Sequence, residues 1–226
     1  MFKKERDTQG IDEIRHLSTH IDGEYHRYAH VIERLSKHKD TFVRQELAVL
    51  LSEHINDHSI GVLKSLACDK DYLVQVEALD SLMGISAAGV KSIIIQCMDS
   101  IHPLVRGYAY RCLSELDEET SAIRQQLQMV KEKSTWARIE LYISEARVGD
   151  PTRIQRLLKM YPKCNYLNRC AISNGITDIF PVLSQSDQGL VNCFVDIHKS
   201  DNSSVAEKEA LMRLLEMCKE VVESEN

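Results

Sequence analysis

Seven of the nine histidines lie between positions 16 and 58, and six of them pair four residues apart: His16 with His20, His26 with His30, and His54 with His58. On a helix that spacing sets both imidazoles of a pair on one side, where two ring nitrogens can hold a divalent ion. A zinc centre needs three or four ligands, however, and the His-Glu-x-x-His arrangement of helical metalloproteases is missing. The pairs therefore read as solvated or helix-capping imidazoles, and no metal or other cofactor is expected.

The seven cysteines, Cys68, Cys97, Cys112, Cys164, Cys170, Cys193 and Cys218, are odd in number, scattered, and contain no Cys-x-x-Cys pair. They read as small core residues in a reducing compartment. Cys164 and Cys170, beside Lys163 and Arg169, come nearest to the electropositive setting that a nucleophilic thiolate requires, yet packing explains them as well. No nucleophile elbow, phosphate-cradling glycine loop, dinucleotide fingerprint or kinase signature occurs. No catalytic residue is assigned, and the chain is not expected to be an enzyme.

Charge gives the best functional lead. The net charge is −6, which disfavours generic nucleic-acid binding, but the distribution is uneven. Between Lys131 and Arg169 stand nine Lys or Arg against four acids, and the segment after Cys170 is acidic. Arg153, Arg156 and Lys159, three residues apart, share one helix face. Lys64, Lys91 and Arg124 occupy the corresponding helices of earlier units. Such a row can grip an acidic protein surface or a phosphate backbone.

The elements that position these residues follow from a repeat. Arg44, Gln75, Arg106, Arg138 and Arg169 recur at intervals of 31, 31, 32 and 31 residues. Two places before each stand Phe42, Leu73, Leu104, Trp136 and Leu167, and three places after stand Leu47, Ala78, Ala109, Leu141 and Ile172. Both sets are expected in the core, Trp136 included. Four places before each anchor, Asp40, Asp71, His102, Ser134 and Asn165 are expected to open a helix, and Pro103 suits a first helical position. A second helix follows in each unit, at about 59–68, 88–98, 121–131 and 152–161. One such pair cannot bury its apolar stripe alone, so the fold is expected to be all-α, an α-solenoid of stacked antiparallel helix pairs. One domain spans 1–226: capping helices over 1–39, repeats over 40–176, and capping helices over 177–226, the last opened by a capping box at Ser204-Val205-Ala206-Glu207. Glu145 stands where earlier repeats have Leu51, Leu82 and Leu113, so the stack is expected to bend or loosen beyond it.

The recurring Asp-x-x-Val-Arg-x-x-Leu/Ala, clearest over Asp40–Leu47 and His102–Ala109, resembles the HEAT-like repeat, in its short form similar to the phycobilisome-lyase-type family. The resemblance covers about 40–176. It implies that the recurrent arginines bond to acceptors in the inter-repeat turns, and that the second helices line a concave side. Lys64, Lys91, Arg124, Arg153, Arg156 and Lys159 would then form a basic concave face.

The expected function is a non-catalytic protein-binding scaffold, similar in size, charge and repeat character to toxin-neutralising immunity proteins or to adaptors. The alternative is a DNA-binding enzyme resembling the HEAT-like alkylpurine DNA glycosylases, with nucleic acid meeting the basic 131–169 segment. No apolar run is long enough to cross a bilayer and the first residues do not form a secretory signal, so a cytoplasmic protein without membrane contact is expected. A capped stack is sufficient as a monomer or weak dimer.

Overall fold

Several helices begin where the sequence supplies a capping side chain. In the computed structural model, which describes residues 8–21, 24–198 and 204–224, the chain forms two compact units, Met1–Asp117 and Glu118–Asn226. In the first unit the helices are α1 (Thr8–His20), α2 (Tyr25–Ser36), α3 (Thr41–Ser52), α4 (Asp57–Leu66), α5 (Tyr72–Ser81), α6 (Val90–Cys97) and α7 (Pro103–Ser114). The second contains α8 (Thr120–Gln128), α9 (Thr135–Arg147), α10 (Arg153–Met160), α11 (Tyr166–Ile179), α12 (Gln185–His198) and α13 (Val205–Ser224). The fold is all-α, with no strand among the described residues.

Helices open at all five expected positions, but of the four side chains suited to capping only three do so. Asp40 accepts from Phe42 N–H, Asp71 from Leu73 N–H, and Asn165 from Asn168 N–H. His102 and Ser134 occupy the cap position without a side-chain cap bond, and Pro103 follows His102 as expected. The turn just before each helix repeats a second device. Backbone N–H groups of Asp40, Asp71, His102 and Ser134 donate to the side chains two residues earlier, His38, Asp69, Ser100 and Glu132. These local bonds offer the backbone an alternative to helix and so fix where the helix starts. At α13 the capping box forms as the sequence predicts, with Ser204 N–H and Oγ–H both donating to Glu207 and Glu207 N–H reaching Ser204 Oγ.

Within the first unit, α1, α3, α5 and α7 pack in succession, while α2 lies on α3 and α4, α4 on α5, and α6 on α7. Within the second, α9, α11 and α13 pack in succession, α8 and α10 lie on α9, and α12 lies on α10 and α13. Each unit is thus a stack of antiparallel helix pairs. The second core runs from Ile139 and Ile143 of α9 through Ile154 and Leu157 to Ile176, Val191 and Leu214. Packing therefore does not loosen past Glu145.

The register of burial differs from the expected frame by one residue. Val43, Val74, Val105 and Ala137, immediately before the anchors, are fully buried, as are Leu47, Ala78, Ala109 and Ile172 three places after. Phe42, Leu104 and Trp136 are only partly buried, Leu73 is 40% exposed and Leu167 is 60% exposed. The reason is geometric. Residues four apart lie about 40° from each other on a helix, whereas residues five apart lie about 140° apart. Trp136 is accordingly an edge residue rather than a core one. Close approach of α9 and α11 adds a further constraint, since a Cβ at Gly175 would fall 2.0 Å from Ile143 Cδ1.

Four of the five anchors seal the turns, whereas Arg138 makes no such bond and its Nε is buried without a hydrogen-bond partner among the described residues. Arg44 donates to His38 O (2.6 Å), Gln75 to Asp69 O (2.5 Å) and Arg106 to Ser100 O (2.7 Å), each six residues back, while Arg169 donates to Cys164 O (2.5 Å). Gln75 thus keeps the bond that its repeat needs without the charge. Arg44, buried, also forks onto Asp69 of the next turn with two 2.8 Å bonds. Burial alone would raise the Asp69 carboxyl, but the bonds from Arg44 and from Asp71 N–H outweigh it and hold it below the ordinary aspartate range.

Arg44→Met is expected to cost about 3–5 kcal/mol, because it strands a shielded carboxylate, whereas Gln75→Met removes one neutral bond and costs about 1–2 kcal/mol. Asp69 titrates below its unfolded value, so its contribution is present at neutral pH and lost as pH falls through its folded value. Urea titrations should show the Arg44→Met deficit shrinking at pH values below the usual aspartate range.

Candidate functional site

The six cations expected to form one basic face belong to both units: Lys64 and Lys91 to the first, Arg124, Arg153, Arg156 and Lys159 to the second. Four of them are held in intramolecular contacts. Lys64 Nζ donates to Ala88 O at 3.0 Å, closing the loop before α6. Arg124 does the same two repeats later, donating from Nε to Val148 O at 2.9 Å and also from Nη2. Both bonds span 24 residues, from one second helix to the loop that precedes the next. Gly149 follows that carbonyl with φ +80°, a left-handed conformation that ends α9, and a Cβ there would sit 2.8 Å from the Arg124 guanidinium. Lys91 is also engaged.

Arg153 points inward. Its Nε lies 2.7 Å from Glu145 Oε2 and 3.3 Å from Asp150 Oδ2, and its Nη2 donates to Glu145 Oε1 at 3.0 Å. Glu145 is only 2% exposed. Asp150 is secured by Thr152 N–H and Oγ1–H and by Gln128 Nε2–H. The acidic replacement of a core leucine is therefore answered by an arginine eight residues on, and the two charges travel into the interior together. Burial pushes the Glu145 carboxyl up and Arg153 opposes it, while the bonds to Thr152 and Gln128 overcome burial at Asp150 and hold that carboxyl down. In the sequence the signal was present as the pair Glu145 and Arg153, but at three-residue spacing from Arg156 the arginine looked like one more surface cation.

Arg156 and Lys159 remain exposed on α10. The guanidinium of Arg156 lies 6.0 Å from the Tyr142 ring centroid, and that of Arg153 lies 5.2 Å from the same ring. Tyr142 thus lies near a partly buried arginine and an exposed one, and the ion-pair cluster fixes the N-terminal end of α10, with Arg156 in its middle and Lys159 in its last turn. Neither forms a salt bridge among the described residues. What this arrangement offers chemically is positive charge on a rigid support.

The other candidates resolve into structural roles. His16 and His20 stack with centroids 4.2 Å apart, and His20 Nδ1 lies 2.9 Å from His16 O. His58 bridges α2 and α4, with Nδ1 3.1 Å from Tyr25 Oη and Nε2 3.3 Å from Glu33. His26 and His30 are exposed, and His54 is engaged elsewhere. No group of three or more potential metal ligands converges among the described residues. Burial raises the thiols of Cys164 and Cys170 despite the nearby Arg169, whose charge is taken by Glu207. Cys97 is pushed up to about 12 and Cys218 to about 11, with Cys112 raised further still by burial. A raised thiol holds less thiolate, so burial works against nucleophilic character at these cysteines. No described helix is long and apolar enough to cross a membrane.

Arg153→Met alone is expected to lower stability by about 3–5 kcal/mol, because Glu145 is left buried without its partner. The double change Glu145→Leu with Arg153→Met restores the residue type of the other repeats and should be within about 1 kcal/mol of the parent or more stable, as urea unfolding would measure.

The chain matches no protein-family model and no curated protein.

Proposed function

We propose that this chain is a non-catalytic binding module that holds an acidic protein surface through the second unit. The observation that supports the reading most directly is the pair Arg156 and Lys159, exposed on α10 and backed by the buried Glu145–Arg153–Asp150 cluster. Exposed cations that form no salt bridge raise the encounter rate with an acidic surface and favour it over neutral ones. A stack of helix pairs presents such residues on a support that loses little freedom on binding. The HEAT-like character of the repeat is part of the same proposal, since repeat stacks of this kind act chiefly as binding surfaces. An immunity-type or adaptor role is the finer form of that reading.

The test compares the parent chain with Arg156→Glu/Lys159→Glu in affinity capture from lysate of the organism that makes it, at low and moderate salt. One stoichiometric protein retained by the parent, released by salt and lost on charge reversal is the expected result. Retention of the same protein by the variant, or capture of duplex DNA in its place, would overturn the assignment.

A further inference from the structure

A second surface in the same unit lies at the N-terminal ends of α9 and α11. The two helices pack together, and Arg138 in the first turn of α9 comes within electrostatic reach of Cys164 in the turn before α11. The α8–α9 and α10–α11 turns therefore share one ledge. Leu167 is 60% exposed, Tyr166 49% and Met129 77%, and the partly buried Trp136 stands at the first turn of α9. The position that recurs two places before each anchor is thus an edge position, and in this unit it carries two large apolar side chains.

The charge on this ledge is one-sided. Lys131, Lys133 and Lys163 are exposed and form no salt bridge among the described residues. The nearby acids are already occupied: Glu132 accepts from Ser134 N–H, and Glu207 binds Arg169 and Ser204. Two helix N-termini add partial positive charge, and Ser134 contributes no side-chain cap bond to α9.

We infer that this ledge docks a segment of a partner protein that carries both carboxylates and apolar side chains, the carboxylates meeting Lys131, Lys133 and Lys163 and the apolar groups covering Tyr166, Leu167 and Met129. A polyanionic duplex leaves the exposed aliphatic groups uncovered, and it is repelled by a chain of net charge −6. A short acidic segment meets only the local lysines and buries the apolar groups. The inference rests on the binding-module reading and names the partner's chemistry at a second place, separate from Arg156 and Lys159.

A random peptide library displayed on phage, selected against the full chain, tests it. Enriched peptides are expected to be net acidic with at least one Leu, Phe, Trp or Met, and to bind about tenfold or more weakly to Lys133→Glu/Lys163→Glu and to Leu167→Ser. These exposed substitutions should leave the melting temperature unchanged, and Arg156→Glu/Lys159→Glu should leave peptide binding unchanged. Selection without acidic bias, or acidic peptides indifferent to the ledge variants, overturns the inference. Acidic peptides lost only with Arg156→Glu/Lys159→Glu would overturn it while sparing the α10 proposal. Lysine-dependent binding to phosphatidylserine-containing vesicles or to duplex DNA, without binding of acidic peptides, would also overturn it.

Discussion

A helix pair can stack on its neighbour only if the turn between them brings no unsatisfied backbone group into the interface. The recurrent anchor meets that constraint. From the first turn of its helix it reaches back to the carbonyl six residues earlier at Arg44, Gln75 and Arg106, and five residues earlier at Arg169. An unpaired buried carbonyl costs about 1–3 kcal/mol, so the 31-residue period is set by backbone satisfaction as much as by hydrophobic spacing. Gln75 shows which part of arginine is required: a donor of the right reach. At Arg44 and Arg169 the charge also meets an acid, Asp69 and Glu207 respectively.

The second helices obey the same rule by a different route. Lys64 and Arg124 each donate to a carbonyl 24 residues later, in the loop before the next second helix. Several of the chain's cations are therefore committed to closing loops, and buried Glu145, Asp150 and Glu207 each receive an arginine. Glu145 with Arg153 is the most interior case, and it replaces a leucine without interrupting the core around Ile143, Ile154 and Leu157. Such a pair adds little net stability over apolar packing, but it fixes the orientation of α10 against α9. The proposed binding role uses cations left outside this scheme: Arg156 and Lys159 on α10, and the exposed lysines that precede α9 and α11.

How much of this was legible beforehand depends on the range of the interaction. The N-caps at Asp40, Asp71, His102, Ser134 and Asn165, the capping box at Ser204 and the helix pairs between them are decided by residues within four positions of one another, and the sequence determined them. The period determined that the helices stack. Tertiary structure alone decided which side of each helix the stack covers, a matter of one residue in register: Val43 went inside and Leu73 and Leu167 stayed outside. It also decided which cations are available. Lys64, Arg124 and Arg153 resemble Arg156 and Lys159 in type and spacing, and they differ only in whether folding brings a carbonyl or a buried carboxylate within about 3 Å, a proximity set by distant chain segments and therefore by no local pattern.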